Sequence, residues 1–339
     1  MSRWPRWPAA LLELALACGL ASGFQLACNR NAQDAPAFRV ALLTPGSIAD
    51  GGWNAGAYAG LEAIRDQLGA EIRHVETRTP TEFEEGFRDF AQRGFQLVFG
   101  HGFEYQDAAA KVGAEFPKTI FITTSGNTLR PNVAPMVFEL EQATYLAGFL
   151  GARMSQTGKL GLVGGIDLPS IRSTFVAFRA GAQAARPDIA VREVFIGNFD
   201  DTAAAREAAL ALLEEGADVL LHQANDAGRG VFRAVSDRAA AGARVYAFGT
   251  NRDQNGMAPD VVLASATLDI PAAFVEVARR VRDGAFKAAP LRLGMRDGIV
   301  ALVVNPVLRE RIPPAVLAEL ADLERRIRAG ELQVPRGDF

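Results

Sequence analysis

Short apolar runs and amphipathic segments alternate along the chain from Phe38 onwards. This alternation is typical of βα units that build parallel sheets. The apolar runs of the first half predict strands near 38–43, 71–75, 96–99, 119–123 and 136–139. Between the first two, apolar residues recur at helical spacing and predict an amphipathic helix that presents one face through Tyr58, Leu61, Ile64 and Leu68.

The run KLGLVGG at 159–165 starts the same pattern again in the second half. Further apolar runs predict strands near 191–196, 218–221, 245–248 and 261–264. The tail departs from the alternation, because 298–305 predicts another strand and 313–329 a closing helix, and the pattern assigns neither to a domain. The sequence therefore predicts an α/β protein with two doubly wound domains.

The N-terminal residues have the layout of an export signal, with Arg3 and Arg6 ahead of a mostly apolar run. The run is shorter than the roughly 20 apolar residues that span a bilayer, and Glu13 interrupts it. We therefore expect residues 1–27 to be a signal peptide rather than a membrane anchor.

The stretch Leu26-Ala27-Cys28 resembles a bacterial lipobox, in which the cysteine becomes the lipidated first residue of the mature chain. We expect lipid attachment at Cys28, the alternative being an ordinary signal peptide with an incidental cysteine. Residues 28–37 lack periodicity and are expected to form a tether. The other cysteine, Cys18, lies in the expected leader, so the mature fold should contain no internal disulfide.

The formal charge of −3 and the pI of about 5.8 bear on the partners of the chain. Nothing in this balance suggests the basic surface that binds nucleic acid. We expect a small or neutral partner and no nucleic acid.

Ligands in open α/β sheets lie outside the carboxyl ends of the strands, so the residues after each apolar run are the candidate binding residues. In the first half these are Asp50, Trp53, Asn54, Phe103, Asp107 and Ser125. In the second half they are Phe199, Asp201, Asn225, Gly228, Asn251 and Asp253.

Aromatic rings interleaved with Asn and Asp suit a flat ligand that also carries hydroxyl or amide groups, such as a nucleoside or a sugar-like compound. Each residue taken singly has an ordinary structural alternative. Asp201 suits a helix N-cap, Asn54 a turn, and Phe103 and Phe199 a core. Their joint position after successive strands favours a binding site.

Enzyme signatures are missing from the sequence. It contains no GxxxxGK[ST] phosphate loop, no GxGxxG turn and no GxSxG elbow. The histidines His74, His101 and His222 lack the spacing of metal ligands. We expect a protein that is not an enzyme and that uses no metal or cofactor.

Several segments together resemble the basic membrane protein family of bacterial substrate-binding lipoproteins, namely DGGWNAGAYAGL, GHGFEYQDAAAKV, EQATYLAGFLGARM, IGNFDDTAAAREAALALLEEGADV, NDAGRGV, NRDQN and DGIVALVVNP. The resemblance implies the type I periplasmic-binding-protein fold, two Rossmann-like lobes with parallel sheets joined by hinge strands. It places the N-terminal lobe at 38–141 plus about 266–290, and the C-terminal lobe at 142–265 plus about 291–339.

The best-understood branch of that family binds purine nucleosides for an ABC importer. By resemblance, Trp53 matches an aromatic residue that contacts the base, Asn54 the adjacent amide, Asp107 the acidic residue after the third-strand loop, and Phe199 an aromatic residue of the opposite lobe. Two features depart from nucleoside binders. Asn251 stands where they usually have an aspartate that holds ribose, and the following segment SATLD lacks their lysine.

The expected function is that of a solute-binding protein of an ABC importer, a monomer on the periplasmic side of the envelope, anchored to a membrane through its lipid and working with an ABC permease. The ligand would be a small planar polar solute, nucleoside-like, held in the cleft between the lobes. A sensory protein that reports its ligand to a membrane receptor is the alternative, and a nucleosidase-type hydrolase a remote one.

Overall fold

Two six-stranded sheets organise the chain in the computed structural model, which describes residues 37–337. The strands are β1 (Arg39–Thr44), β2 (Glu71–Glu76), β3 (Leu97–Gly100), β4 (Ile120–Thr124), β5 (Val133–Phe138), β6 (Lys159–Gly164), β7 (Ala190–Phe195), β8 (Val219–Gln223), β9 (Tyr246–Asn251), β10 (Val262–Leu268), β11 (Leu291–Leu293) and β12 (Val300–Val304). The expected signal peptide and Cys28 lie outside the described residues.

The first sheet has the order β11-β5-β4-β3-β1-β2 and every neighbouring pair in it is parallel. The second has the order β12-β10-β9-β8-β6-β7, with only β12 antiparallel to its neighbour. Central strands are buried on both faces, as at Val40–Leu43, which explains their uninterrupted apolar runs. The predicted α/β class with mostly parallel sheets is confirmed.

Helices cover the faces of both sheets. They are α1 (Trp53–Leu68), α2 (Pro80–Gln92), α3 (Gln106–Glu115), α4 (Glu141–Met154), α5 (Pro169–Ala185), α6 (Thr202–Glu214), α7 (Gly228–Ala240), α8 (Ile270–Arg282) and α9 (Pro314–Ala329). The predicted first helix is α1, whose Leu61 and Ile64 are fully buried. It ends where Gly69 adopts the left-handed conformation that terminates many helices. None of the helices within residues 37–337 has the length and apolar character needed to span a membrane.

We call the first sheet with α1, α2, α3 and α8 the first lobe, and the second sheet with the remaining helices the second lobe. The chain passes between the sheets three times, after Phe138, after Leu268 and after Leu293. The positions of the last two crossovers follow from strand pairing, because β10 pairs with β9 in the second sheet and β11 with β5 in the first. The tail strand β12 pairs with β10 and therefore belongs to the second lobe.

Hydrogen bonds connect the three crossovers to one another. The Glu139 amide donates to the Leu293 carbonyl at 2.9 Å, and the Asp269 amide donates to the Ile299 carbonyl at 2.8 Å. The Gln142 side-chain oxygen accepts from the Met295 amide at 2.6 Å. These bonds group the crossovers into one connecting region, which we call the hinge region.

Helices α4 and α5 of the second lobe pack with their backbones in contact. A Cβ atom added at Gly148 would lie 2.0 Å from the Phe178 carbonyl oxygen, and one at Gly181 would lie 1.9 Å from the Tyr145 carbonyl oxygen. The Thr144 hydroxyl also donates to the Thr174 carbonyl at 3.0 Å. Only glycine permits this approach, so these two positions fix how closely the helices pack.

Candidate functional site

A cleft lies at the carboxyl ends of the strands of both sheets, where ligands bind in open α/β folds. The empty space between its lining residues amounts to about 670 Å³, counting the part that is open to solvent. Its lining comes from both lobes and consists of Pro45, Trp53, Gly102, Phe103, Glu104, Ser125, Phe138, Leu140, Glu141, Leu168, Ser170, Ile171, Thr174, Phe199, Gln223, Asn225, Asn251 and Leu268.

Aromatic rings reach this cleft from opposite lobes. Trp53, the first residue of α1, stacks on the His101 ring with centroids 3.9 Å apart and meets the edge of Phe138 at 6.0 Å. In the second lobe, Gly165 makes room for Phe199, since a Cβ atom there would lie 2.2 Å from the Phe199 ring. A flat ligand between the lobes would therefore find apolar ring surface on both sides.

The His101 ring packs against one face of the Trp53 ring and fixes its position. It is fully buried, its Nε2 lies 3.0 Å from the Trp53 carbonyl oxygen, and its Nδ1 lies 3.1 Å from the Thr124 hydroxyl. A carbonyl oxygen only accepts, so Nε2 carries the proton and Nδ1 accepts from the threonine. Burial lowers the pKa of His101 to about 3, so the ring is neutral and acts as a spacer beneath Trp53.

Three cleft residues adopt the left-handed backbone conformation without being glycine: Ser125 (φ 60°), Asn225 (φ 47°) and Asn251 (φ 68°). Each lies at or just after the end of a strand. Such conformations cost free energy and collect at functional sites, and asparagine tolerates them better than most residues. The Asn251 amide donates to the side-chain oxygens of Gln223 and Asn225 at 3.3 and 3.4 Å, which forms an amide cluster on the second-lobe side.

Six of the twelve residues predicted from the sequence line the cleft, namely Trp53, Phe103, Ser125, Phe199, Asn225 and Asn251. The other six, Asp50, Asn54, Asp107, Asp201, Gly228 and Asp253, do not belong to its lining. Ligand contact by the first six stays a prediction.

Most of the acidic residues outside the lining accept hydrogen bonds from nearby backbone amides. Asp50 accepts hydrogen bonds from the amides of Gly52, Asn54 and Ala55, each at 2.9 Å, and so shapes the loop that leads into α1. Asp201 caps α6 by accepting from the amides of Ala203 and Ala204. For Asp201, the helix-cap alternative therefore describes its position in this structure.

The remaining predicted residues have other surroundings. Asp253 accepts from the Asn255 amide at 2.9 Å, and Asp107 is exposed in the first turn of α3. Gly228 lies against His222, because a Cβ atom there would lie 2.2 Å from the His222 Nδ1. Asn54 is buried, and its side-chain oxygen has no hydrogen-bond partner among residues 37–337.

Two lining carboxyl groups were missed from the sequence. Glu104 belongs to the same loop as Phe103, and Glu141 is the first residue of α4, directly after a crossover. Burial raises the pKa of both side chains. Ligand-binding residues are expected just after the carboxyl ends of strands, and Glu141 follows the fifth strand. The sequence therefore contains the signal that identifies Glu141.

The lobes touch at the cleft. Arg229 of α7 donates to the Ala49 carbonyl in the loop before α1, at 3.2 Å, and pairs with Asp226 at 2.6 Å. Arg78 of the first lobe lies 3.9 Å from the Asp200 carboxylate of the second. These two contacts join the lobes. Among the described residues, no group of His, Cys, Asp and Glu side chains is arranged to hold a metal ion.

Two α/β lobes that share a ligand cleft define the architecture of periplasmic-binding-protein-like solute-binding proteins. Residues 37–336 match the Bmp family model, described as ABC transporter substrate-binding protein, PnrA-like. The chain therefore belongs to this family of ABC-type substrate-binding proteins.

Individual relatives agree with this assignment. Basic membrane protein A of Borreliella afzelii is 28% identical over 305 residues, covering 88% of this chain and 91% of the relative. The ABC transporter nucleoside-binding protein BmpA of Lactococcus lactis is 25% identical over 304 residues, covering 84% and 86%. A solved ABC transporter solute-binding protein from Conexibacter woesei is 30% identical with a TM-score of 0.72, covering 88% of this chain and 99% of that chain.

Proposed function

We propose that this chain is the extracytoplasmic solute-binding component of an ABC importer, and that it captures a small planar polar solute, a nucleoside or a related compound. The observation that carries the proposal is the cleft itself, where Trp53 and Phe199 approach from opposite lobes beside the amides of Asn225 and Asn251. The name of the Lactococcus relative, a nucleoside-binding protein, supports the same class of ligand.

In this proposal the rings of Trp53 and Phe199 sandwich the planar part of the solute, while Ser125, Asn225 and Asn251 bond its polar edge. An amide can both donate and accept, so Asn251 suits hydroxyl and carbonyl groups alike. The cleft binds without catalysis, and no cofactor takes part.

Closure of the lobes is the signal that the importer reads. The solute contacts both lobes only when they are closed, so binding shifts the population toward that form. The contacts of Arg229 with the Ala49 carbonyl and of Arg78 with Asp200 are then available to the closed form alone. The permease would recognise the surface that closure creates.

The cellular location proposed here is the periplasmic side of the envelope, with a monomer anchored through a lipid on Cys28. Substituting Cys28→Ser should release the protein from the membrane fraction of expressing cells. Continued retention of the variant with membranes would contradict the anchor.

The ligand class is testable with the purified full chain. Thermal unfolding is measured with adenosine, guanosine, inosine and cytidine, with free nucleobases, and with ribose and galactose. A ligand that binds only the folded state raises the melting temperature in a saturable way. We expect shifts with nucleosides. A shift with a sugar alone would refute the nucleoside assignment, and no shift with any of these compounds would refute the proposed ligand class.

Tryptophan fluorescence gives a second readout, because the chain contains only Trp4, Trp7 and Trp53. A stacked ligand should change the emission of Trp53. The variant Trp53→Phe keeps an aromatic ring in the cleft and supplies the background signal of the other two residues. A ligand-induced change that persists in this variant would not come from the cleft.

A further inference from the structure

The ionisable side chains in the lining of the cleft are both carboxylic acids. Among residues 37–337, Glu104 and Glu141 line it, and no Lys, Arg, His or Asp side chain does. Leu268, the last residue of β10, adds an apolar side chain to the lining. The cleft therefore offers negative charge to its ligand and no positive charge.

Glu104 is held in place without a counter-ion. Its carboxylate lies against the backbone of Gly102, since a Cβ atom there would be 2.3 Å from Oε2. No ion pair to this side chain exists among residues 37–337. A larger residue at position 102 would collide with the carboxylate, so the glycine keeps room for it beside the cleft.

Glu141 is still more deeply placed, with only 1% of its surface exposed. Its carboxylate oxygens lack a hydrogen-bond partner of normal geometry among the described residues, although the Ser173 side chain and the Glu141 backbone lie close enough to favour the charged form. Arg336, in the segment that follows α9, approaches it with Nε 3.5 Å from one oxygen, but the same guanidinium also lies 3.5 Å from Glu139. One cation thus faces two carboxylates.

A neutral solute would leave Glu104 without a counter-ion and Glu141 with only the shared Arg336, which costs free energy while the two carboxyl groups are ionised. A positively charged solute would compensate them. Aromatic rings add to that attraction, because a cation over the face of Trp or Phe gains from the negative face of the ring, and Trp53, Phe103 and Phe199 all line the cleft. Carboxylates and rings therefore favour the same kind of ligand.

We propose that the solute carries a positively charged planar group, such as a protonated or N-alkylated heterocycle, held by Glu104 and Glu141 between the aromatic rings. The inference rests on the proposed function, since it concerns the ligand of the same cleft. It adds charge as the property by which the cleft distinguishes its solute from neutral nucleosides.

Two isomers provide a matched test. 1-Methyladenosine is a cation at pH 7, whereas N6-methyladenosine has the same carbon skeleton and ring system and is neutral. Calorimetric titration of the full chain with each isomer, with adenosine and with thiamine, a fixed cation, measures the preference directly. We expect 1-methyladenosine to bind at least about tenfold more tightly than its neutral isomer, the ratio that one close charge pair supplies.

Variants assign that preference to the two carboxyl groups. Glu104→Gln keeps the size of the side chain and removes its charge, so the ratio of the two dissociation constants should fall toward one. Glu141→Gln should lower the ratio as well, and it keeps the test open if the first variant does not fold. Glu310→Gln changes an exposed glutamate outside the cleft lining and should leave the ratio unchanged.

Several results would overturn the inference. Tighter binding of N6-methyladenosine or adenosine than of both cations would refute charge selection while leaving the proposed function intact. An unchanged preference in both glutamine variants would refute the role of these two residues. If none of the four compounds binds, both the inference and the nucleoside-like ligand class fail.

Discussion

Mild acid should destabilise the fold through two buried histidines. Burial lowers the pKa of His101 to about 3 and that of His222 to about 4, whereas an unfolded histidine titrates near about 6.5. Between these values the unfolded chain binds more protons than the folded chain, so the free energy of unfolding falls as the pH falls. The stabilisation is complete above about pH 6.5 and is lost on the way down to about pH 3 to 4.

The size of the effect follows from the shifts. At pH 5 each histidine contributes a loss of about 2 kcal/mol, from ~1.4 kcal/mol per pH unit over about 1.5 units, so the pair contributes about 4 kcal/mol. Urea unfolding of the full chain at pH 7 and pH 5, followed by circular dichroism, measures the difference. The raised pKa values of Glu104 and Glu141 act in the opposite direction, because their folded forms take up protons first.

A variant separates the histidines from the other titrating groups. In His222→Gln the carboxyl groups and His74, whose pKa is also lowered by burial, remain as they are. The pH-dependent loss of stability should therefore shrink by about 2 kcal/mol relative to the parent chain. If the parent and His222→Gln lose the same free energy between pH 7 and pH 5, the buried-neutral assignment of His222 is wrong.

Three further substitutions test the cleft and its closure. Trp53→Ala should weaken solute binding by about 1 to 3 kcal/mol in calorimetry while the chain stays folded, because the ring is only half-buried. Gly165→Ala should destabilise the chain by about 1 to 3 kcal/mol in urea and weaken binding, because the new methyl group collides with Phe199; Gly256→Ala, with no atom within 4 Å, is the control. Arg229→Gln should open the lobes, seen as a larger radius of gyration in solution scattering with ligand, and an unchanged radius would remove its role in closure.

The alternation of apolar runs predicted the sheets well because central parallel strands are buried on both faces. The same logic found Trp53, Phe199 and Asn251, which follow strands whose carboxyl ends meet at the cleft. The alternation did not assign β11, which joins the first sheet by pairing with β5, a segment far from it in the sequence. Periodicity carries no information about such pairing.

Residue type alone did not separate the residues that line the cleft from those that hydrogen-bond to the backbone. Asp50 and Asp201 have short carboxylates that reach the amides of their own loop or helix, as ligand-binding aspartates would reach a solute. Asp107 lies one residue into α3, where the helical turn directs it to solvent. Glu141 follows the fifth strand and is predictable by the same rule, whereas its burial at a crossover is a property of the assembled fold.

The backbone contact between α4 and α5 has a mechanical consequence. Two helices separated by side chains can slide while those side chains change rotamer, but Gly148 and Gly181 leave no such layer to rearrange. The two helices should therefore move as one rigid body. This body adjoins the hinge region at Glu141, the first residue of α4. Ile171 and Thr174 of α5 line the cleft. A displacement of α5 by a bound molecule should therefore displace α4 and the adjoining crossover with it.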